Sequence, residues 1–262
     1  MCANTARLDR EAAAQEAETL FQKQSRPLHN ETPEQRHLRL ADTRERYSTA
    51  HRIWWKIKEK FGGRVPTDIN WNDVAAPYEK GQEVAQSFDA LPSNPNDPAV
   101  RRAYRRLVTV VEEQYVLLTE ELGVEVSYVN DPEPYLSATE QFVDVTMNGH
   151  LSIATINIWP DSYHPLLTND RGGEYDMFRA VHDAIGHVAT GTGFDRHGEY
   201  ISWVFHALLC ADDEACAAIS TELHGENSYL WNRGVPAPHK AIILPSHLRD
   251  PHVDLDRIRT NQ

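Results

Sequence analysis

The sequence predicts a mainly helical α+β fold, a helix cluster beside a small antiparallel sheet, with a helical N-terminal extension in front. Three observations carry this expectation. Apolar residues recur at helical spacing over long stretches, above all Val100, Ala103, Tyr104, Leu107, Val110, Val111, Gln114, Tyr115 and Leu118. Two short runs, 124–129 and 150–159, are apolar and β-branched enough to be strands. Between residues 64 and 96, Pro66, Pro77, Pro92 and Pro95 punctuate the chain and set the first 63 residues apart from a domain over 97–245, with 246–262 as a peripheral arm.

In chain order, Ala13, Ala17, Leu20 and Phe21 mark an amphipathic helix over 9–24, and 25–33 is a link. Thr32 and Pro33 then open a helix that runs to Phe61 and stops at Gly62-Gly63. A short helix is expected around 78–88. Asp97-Pro98 starts the long helix, because an aspartate cap followed by proline suits the first turn, and Gly123 ends it. Ser137 and Glu140 form a capping box for a helix to Asn148. A loop over 160–173, with His164 in it, leads into the next helix, and 240–244 offers a third short strand.

Composition bounds the function. Hydrophobic residues make up 40% and charged residues 25% of the chain, the balance of a globular domain. No apolar run approaches 18 residues, so no membrane partner is expected. The first 24 residues lack the apolar stretch of a secretory leader, so a cytoplasmic location in a bacterium or phage-infected cell is expected. A net charge of −13 disfavours nonspecific affinity for nucleic acid. The exception is 35–64, where nine Lys or Arg face three Asp or Glu around Trp54-Trp55; a solvated basic helix face is the ordinary explanation. Cys2, Cys210 and Cys216 show neither disulfide nor zinc-knuckle spacing.

The chemistry concentrates in 174–233, where His182, Asp183, His187, His197, Glu199, His206, Glu222, His224, Glu226 and Asn227 fall within helical sequence. Ionisable groups on apolar helical faces must be paired, ligated or used, since burying them unsatisfied costs several kcal/mol each. Two imidazoles and a carboxylate can occupy one face of a six-coordinate ion and leave other positions open. His182 and His187 are five residues apart, however, which is about 140° around a regular helix. Both reach one ion only if the helix ends or carries a π-bulge between them, and Gly186 permits such a departure. Asp183 and His187 do share a face, so Asp183 is a candidate to orient that imidazole.

The run Val181-His182-Asp183-Ala184-Ile185-Gly186-His187-Val188, with Thr221-Glu222 later, resembles the signature of pterin-dependent aromatic amino-acid hydroxylases. That resemblance implies iron(II), or another divalent metal, held by His182, His187 and Glu222. It does not reach the family's pterin- and substrate-binding segments, so pterin stays open. A longer pattern is similar to a domain of tailed-phage and prophage proteins: Phe178-Arg179, His182-Asp183, Gly186-His187, Gly193-Phe194, Gly198-Glu199, Thr221-Glu222 and Gly225-Glu226-Asn227-Ser228. It implies a phage-type origin and no particular reaction.

Three functions follow as expectations. The first is a mononuclear non-haem iron oxidoreductase or hydroxylase acting on a small molecule, with Asp183 orienting an imidazole and Glu199 or His206 handling protons. The second is a metal-dependent hydrolase of the HD type, which needs His150 or His164 and Asp195 or Asp212 as further ligands. The third is a noncatalytic phage-associated protein whose polar cluster locks helices together. A dinuclear variant would add Glu199 and Glu226, although the Glu-x-x-His pairs usual in helical di-iron proteins are missing from the cluster. Asn227 would bind substrate or cap a helix.

Overall fold

In a computed structural model, the described residues are 74–158, 163–251 and Val253, together with Ile53, Lys56, Ile57, Glu59, Lys60, Phe61 and Trp71. The expected helix over 9–24, the link over 25–33, Cys2, Trp54-Trp55, the stop at Gly62-Gly63 and the end of the C-terminal arm lie outside them. Among the described residues the fold is mainly helical with a two-stranded sheet, as the sequence led one to expect.

Helix α1 spans Tyr78–Ala90. Helix α2, Pro98–Val116, opens as its sequence dictates: the Asp97 carboxylate accepts the backbone N–H groups of Ala99 and Val100, which have no partner inside the helix. A π turn, Leu117–Glu121, and Gly123 with φ 72° end it and release the chain into β1, Glu125–Val129. Helix α3, Ala138–Val143, continues as a π turn to Asn148 before β2, His150–Ala154. Helix α4, Glu174–Val181, runs on through a π turn, His182–Val188. Helix α5 spans Arg196–Leu209 and α6 Asp213–Ile219. A third such continuation, Ser220–Gly225, joins α6 to α7, Glu226–Arg233.

The sheet corrects one expectation. β1 and β2 pair in parallel, Glu125 opposite His150 and Val129 opposite Ala154, and not as an antiparallel hairpin. The reason is the helix between them: α3 carries the chain back to the starting edge, the crossover that a parallel pair requires. The segment 240–244 is no strand either. Single bonds hold it: Ser93 Oγ accepts the Ala241 N–H, and Thr221 Oγ1 donates to the Ile242 carbonyl.

Most of the apolar stripe of α2 is buried, with Val110 and Tyr115 half-buried, and the helix packs against α6 and α4. Ile53, Ile57 and Trp71 contribute to the same core. Helix α5 is buried continuously from Ile201 to Leu209, as expected of a helix surrounded by others. It packs against the π turns at His182–Val188 and Ser220–Gly225 and against α6 and α7. Asp176, fully buried in α4, accepts the N–H groups of Ile156 and Gly172, and Arg179 donates to the Ala154 carbonyl. The start of α4 is thereby fixed to the end of β2. No helix among the described residues is long and apolar enough to cross a membrane.

Candidate metal centre

The π turn answers the spacing problem posed by the two histidines. Its backbone bonds skip five residues, as from Ala189 N–H to the Ala184 carbonyl, so residues five apart come to lie about one full turn apart and on one face. His182 Nε2 and His187 Nε2 stand 3.1 Å apart, with ring planes at 77°. Helix α5 brings Glu199 against both, Oε2 3.4 Å from His182 Nε2 and Oε1 3.6 Å from His187 Nε2. The three ligand atoms lie within 4.8 Å of one another. Two donors bonded to one ion at about 2.1 Å and at angles between right and tetrahedral are about 3.0–3.4 Å apart, so the three residues fit an ion with modest closure.

The surroundings hold these donors in place. His182 Nδ1 meets Ser202 Oγ at 3.0 Å; with the ring proton there, the lone pair of Nε2 faces the group. Asn227 Nδ2 donates to Glu199 Oε2 at 2.9 Å. The expected substrate-binding or capping use of Asn227 thus gives way to a grip on a carboxylate. Phe194 stands edge-on to the His187 ring, whose Nδ1 is buried without a hydrogen-bond partner among the described residues. The His187 side chain is 2% exposed, while His182 at 12% and Glu199 at 15% form the side that solvent reaches.

Without an ion the three groups form a close polar cluster. Burial opposes a charge on His187, yet the Glu199 carboxylate outweighs it and holds the imidazole pKa above its usual 6.5. Burial likewise opposes ionisation of Glu199, and the two imidazoles reverse that, holding its carboxyl below 4.5. The carboxylate's contribution to stability is complete above its unfolded pKa and fades as pH falls; the imidazolium's is complete below its own and fades as pH rises through the raised value. The metal-free protein should therefore gain most from the pair between about pH 4.5 and 6.5. Urea midpoints of the parent minus those of Glu199→Gln, both stripped of metal, should peak in that window; a flat difference up to about pH 9 would remove the pair.

The other expected residues fall in different places. Glu222, expected as the third ligand, is not in this group. Its Oε1 accepts from Tyr104 and from His164 Nε2, and its ligand atoms cluster with those of Glu226 and His239. Asp183 accepts from Gln141 Nε2 at 2.7 Å instead of orienting His187, although its charge helps to raise that imidazole's pKa. His206 lies against His182 with ring centres 5.8 Å apart and planes at 30°, buried, its Nε2 without a hydrogen-bond partner among the described residues. Burial and then the neighbouring His182 and His187 push its pKa well below 6.5, which favours the neutral ring.

The additional ligands of an HD-type hydrolase are occupied elsewhere. His150 bonds Asp144 and Ser127, and Asp195 and Asp212 cap α5 and α6. His164 Nδ1 accepts the N–H groups of Leu166 and Leu167, so its proton sits on Nε2, which donates to Glu222.

A cleft of about 360 Å³, its open mouth included, borders Glu199. Asn227, His224 and Trp231 line it, and the last two carry buried ring nitrogens with no hydrogen-bond partner among the described residues. Burial holds the His224 pKa down to about 3, so this ring is neutral, stacked 3.9 Å from Trp203. Neither Trp231 nor His239 carries a signal in the sequence pattern. No protein-family model, curated protein or solved structure matches this chain.

Proposed function

We propose that the chain is a mononuclear metalloenzyme in which His182, His187 and Glu199 hold a divalent ion, iron(II) before others, for oxidation of a small molecule. The observation that supports this is the convergence of two Nε2 atoms and a carboxylate from two elements at 3.1, 3.4 and 3.6 Å. Two histidines and one carboxylate on one face are the donor set of iron(II) oxygenases, and they leave coordination positions open for the oxidant. Bound there, the ion would supply those open positions and its redox change. The residues supply the rest: Ser202 and Asn227 keep the donors aimed, and buried His206 and half-buried Phe194 keep water from the inner side. The cleft beside Glu199 marks the side from which a substrate would approach the ion. The cytoplasm of a bacterium or of a phage-infected cell is the location we propose.

The test is metal content by mass spectrometry of untagged, anaerobically purified protein, with dioxygen uptake measured in parallel. Iron bound to His182 and His187, lost in His187→Ala, together with substrate-dependent dioxygen uptake, would support the proposal. Zinc or manganese without dioxygen uptake would transfer the site to water activation, since two histidines and a glutamate also make catalytic zinc sites. Folded protein without metal would leave the cluster as a polar lock between helices and overturn the proposal.

A further inference from the structure

A second buried group of donors lies at the junction of α6 and α7, and we infer that Glu222, Glu226 and His239 form a second divalent-cation site. The π turn at Ser220–Gly225 places Glu222 near the first residue of α7, Glu226, and the segment after α7 brings His239 over both. Their ligand atoms lie within 4.8 Å of one another. His239 Nδ1 and Glu226 Oε1 are 2.9 Å apart, about the distance between two donors bonded to one ion at right angles.

Carboxylates in proximity do not by themselves make a site; the oxygens of Glu222 do. Its side chain is 1% exposed. Oε1 is saturated by Tyr104 and by the Nε2 proton of His164, which the backbone of Leu166 and Leu167 fixes on that nitrogen. Oε2 is buried and has no partner among the described residues. An unpartnered buried carboxylate oxygen is costly, and a divalent ion shared with the neighbouring carboxylate and imidazole would satisfy it. The rings of Tyr104 and Tyr175 wall the site: Tyr175 stands edge-on to His239 at 4.9 Å and stacks on His164 at 5.7 Å. Arg179 is close enough to act on His239, but it donates to the Ala154 carbonyl, and the two carboxylates outweigh it. Two carboxylates and one imidazole suit manganese(II) or iron(II) better than a thiolate-seeking metal.

The site is coupled to the first, since Asn227, next to Glu226, holds Glu199. Its existence does not depend on the first centre binding metal. The experiment is titration of the stripped full chain with manganese(II), bound and free ion being distinguished by electron paramagnetic resonance. The parent should bind two equivalents. His187→Ala should keep one, and Glu226→Gln and His239→Gln should each weaken one by about 100-fold or more while the urea midpoint shows them folded. One equivalent that is insensitive to His187→Ala and lost in Glu226→Gln would support the second site and refute the first. One equivalent lost only in His187→Ala, or none at all in folded parent protein, would overturn this inference.

Discussion

Glu199→Gln should lower the affinity of the histidine centre for its ion by about 100-fold, the share of one ligand among several in a total of roughly 10 kcal/mol or more. The exchange is nearly isosteric, so the packing of α5 survives. Asn227 still finds an oxygen to donate to, but the charge that faces both imidazoles is gone. Glu222→Gln, in contrast, should leave this centre's affinity within a few-fold of the parent, because Glu222 bonds Tyr104 and His164. Anaerobic calorimetry with iron(II), or cobalt(II) absorption as a substitute, reads both. Equal losses in the two variants would mean that one ion spans both groups, and a loss only in Glu222→Gln would restore the ligand set that the resemblance implied.

The contrast shows what was legible in the sequence. A helix end or a π departure between His182 and His187 was the condition their spacing and Gly186 set for a shared ion, because helical geometry is local, and the π turn is the one found. That Glu199 faces them did not, because it depends on how α5 crosses the preceding π turn, and no periodicity encodes that angle. The resemblance offered Glu222, which is a buried carboxylate of another group. The caps at Asp97 and Ser137 and the stop at Gly123 were readable for the same local reason. Strand direction was readable too: the capping box at Ser137 puts a helix between the two strands, and such a connection favours a parallel pair over the antiparallel one expected. His239 gave no signal, since it lies in irregular chain.

Gly186→Ala should destabilise the protein by about 1–3 kcal/mol and weaken the histidine centre by about 10- to 100-fold. A Cβ at this position would stand 1.9 Å from Ser202 Oγ, 3.1 Å from Ser202 Cβ and 3.2 Å from His182 Nδ1. Ser202 is fully buried, so its hydroxyl must turn away and release His182, or α5 must retreat and take Glu199 with it. Ser202→Ala should weaken metal binding without the loss of stability, and combining it with Gly186→Ala should recover part of the stability but none of the affinity. Urea denaturation and metal titration of the three variants separate these effects. A Gly186→Ala protein as stable as the parent would show that α5 does not approach so closely.

The π turn at His182–Val188 also bears on how such a site tolerates change in length. A helix that skips one residue further accommodates an insertion without a loop, so a histidine pair five apart can present the same face as a pair four apart on a regular helix. Deleting Ala184 would give that four-residue spacing and let the backbone return to ordinary helical bonding. A motif search that demands fixed spacing passes over one of these two solutions. Sequences that differ by one codon between their histidines can then share a coordination geometry, and gaps within helices belong among the admissible differences when relatives of this chain are sought.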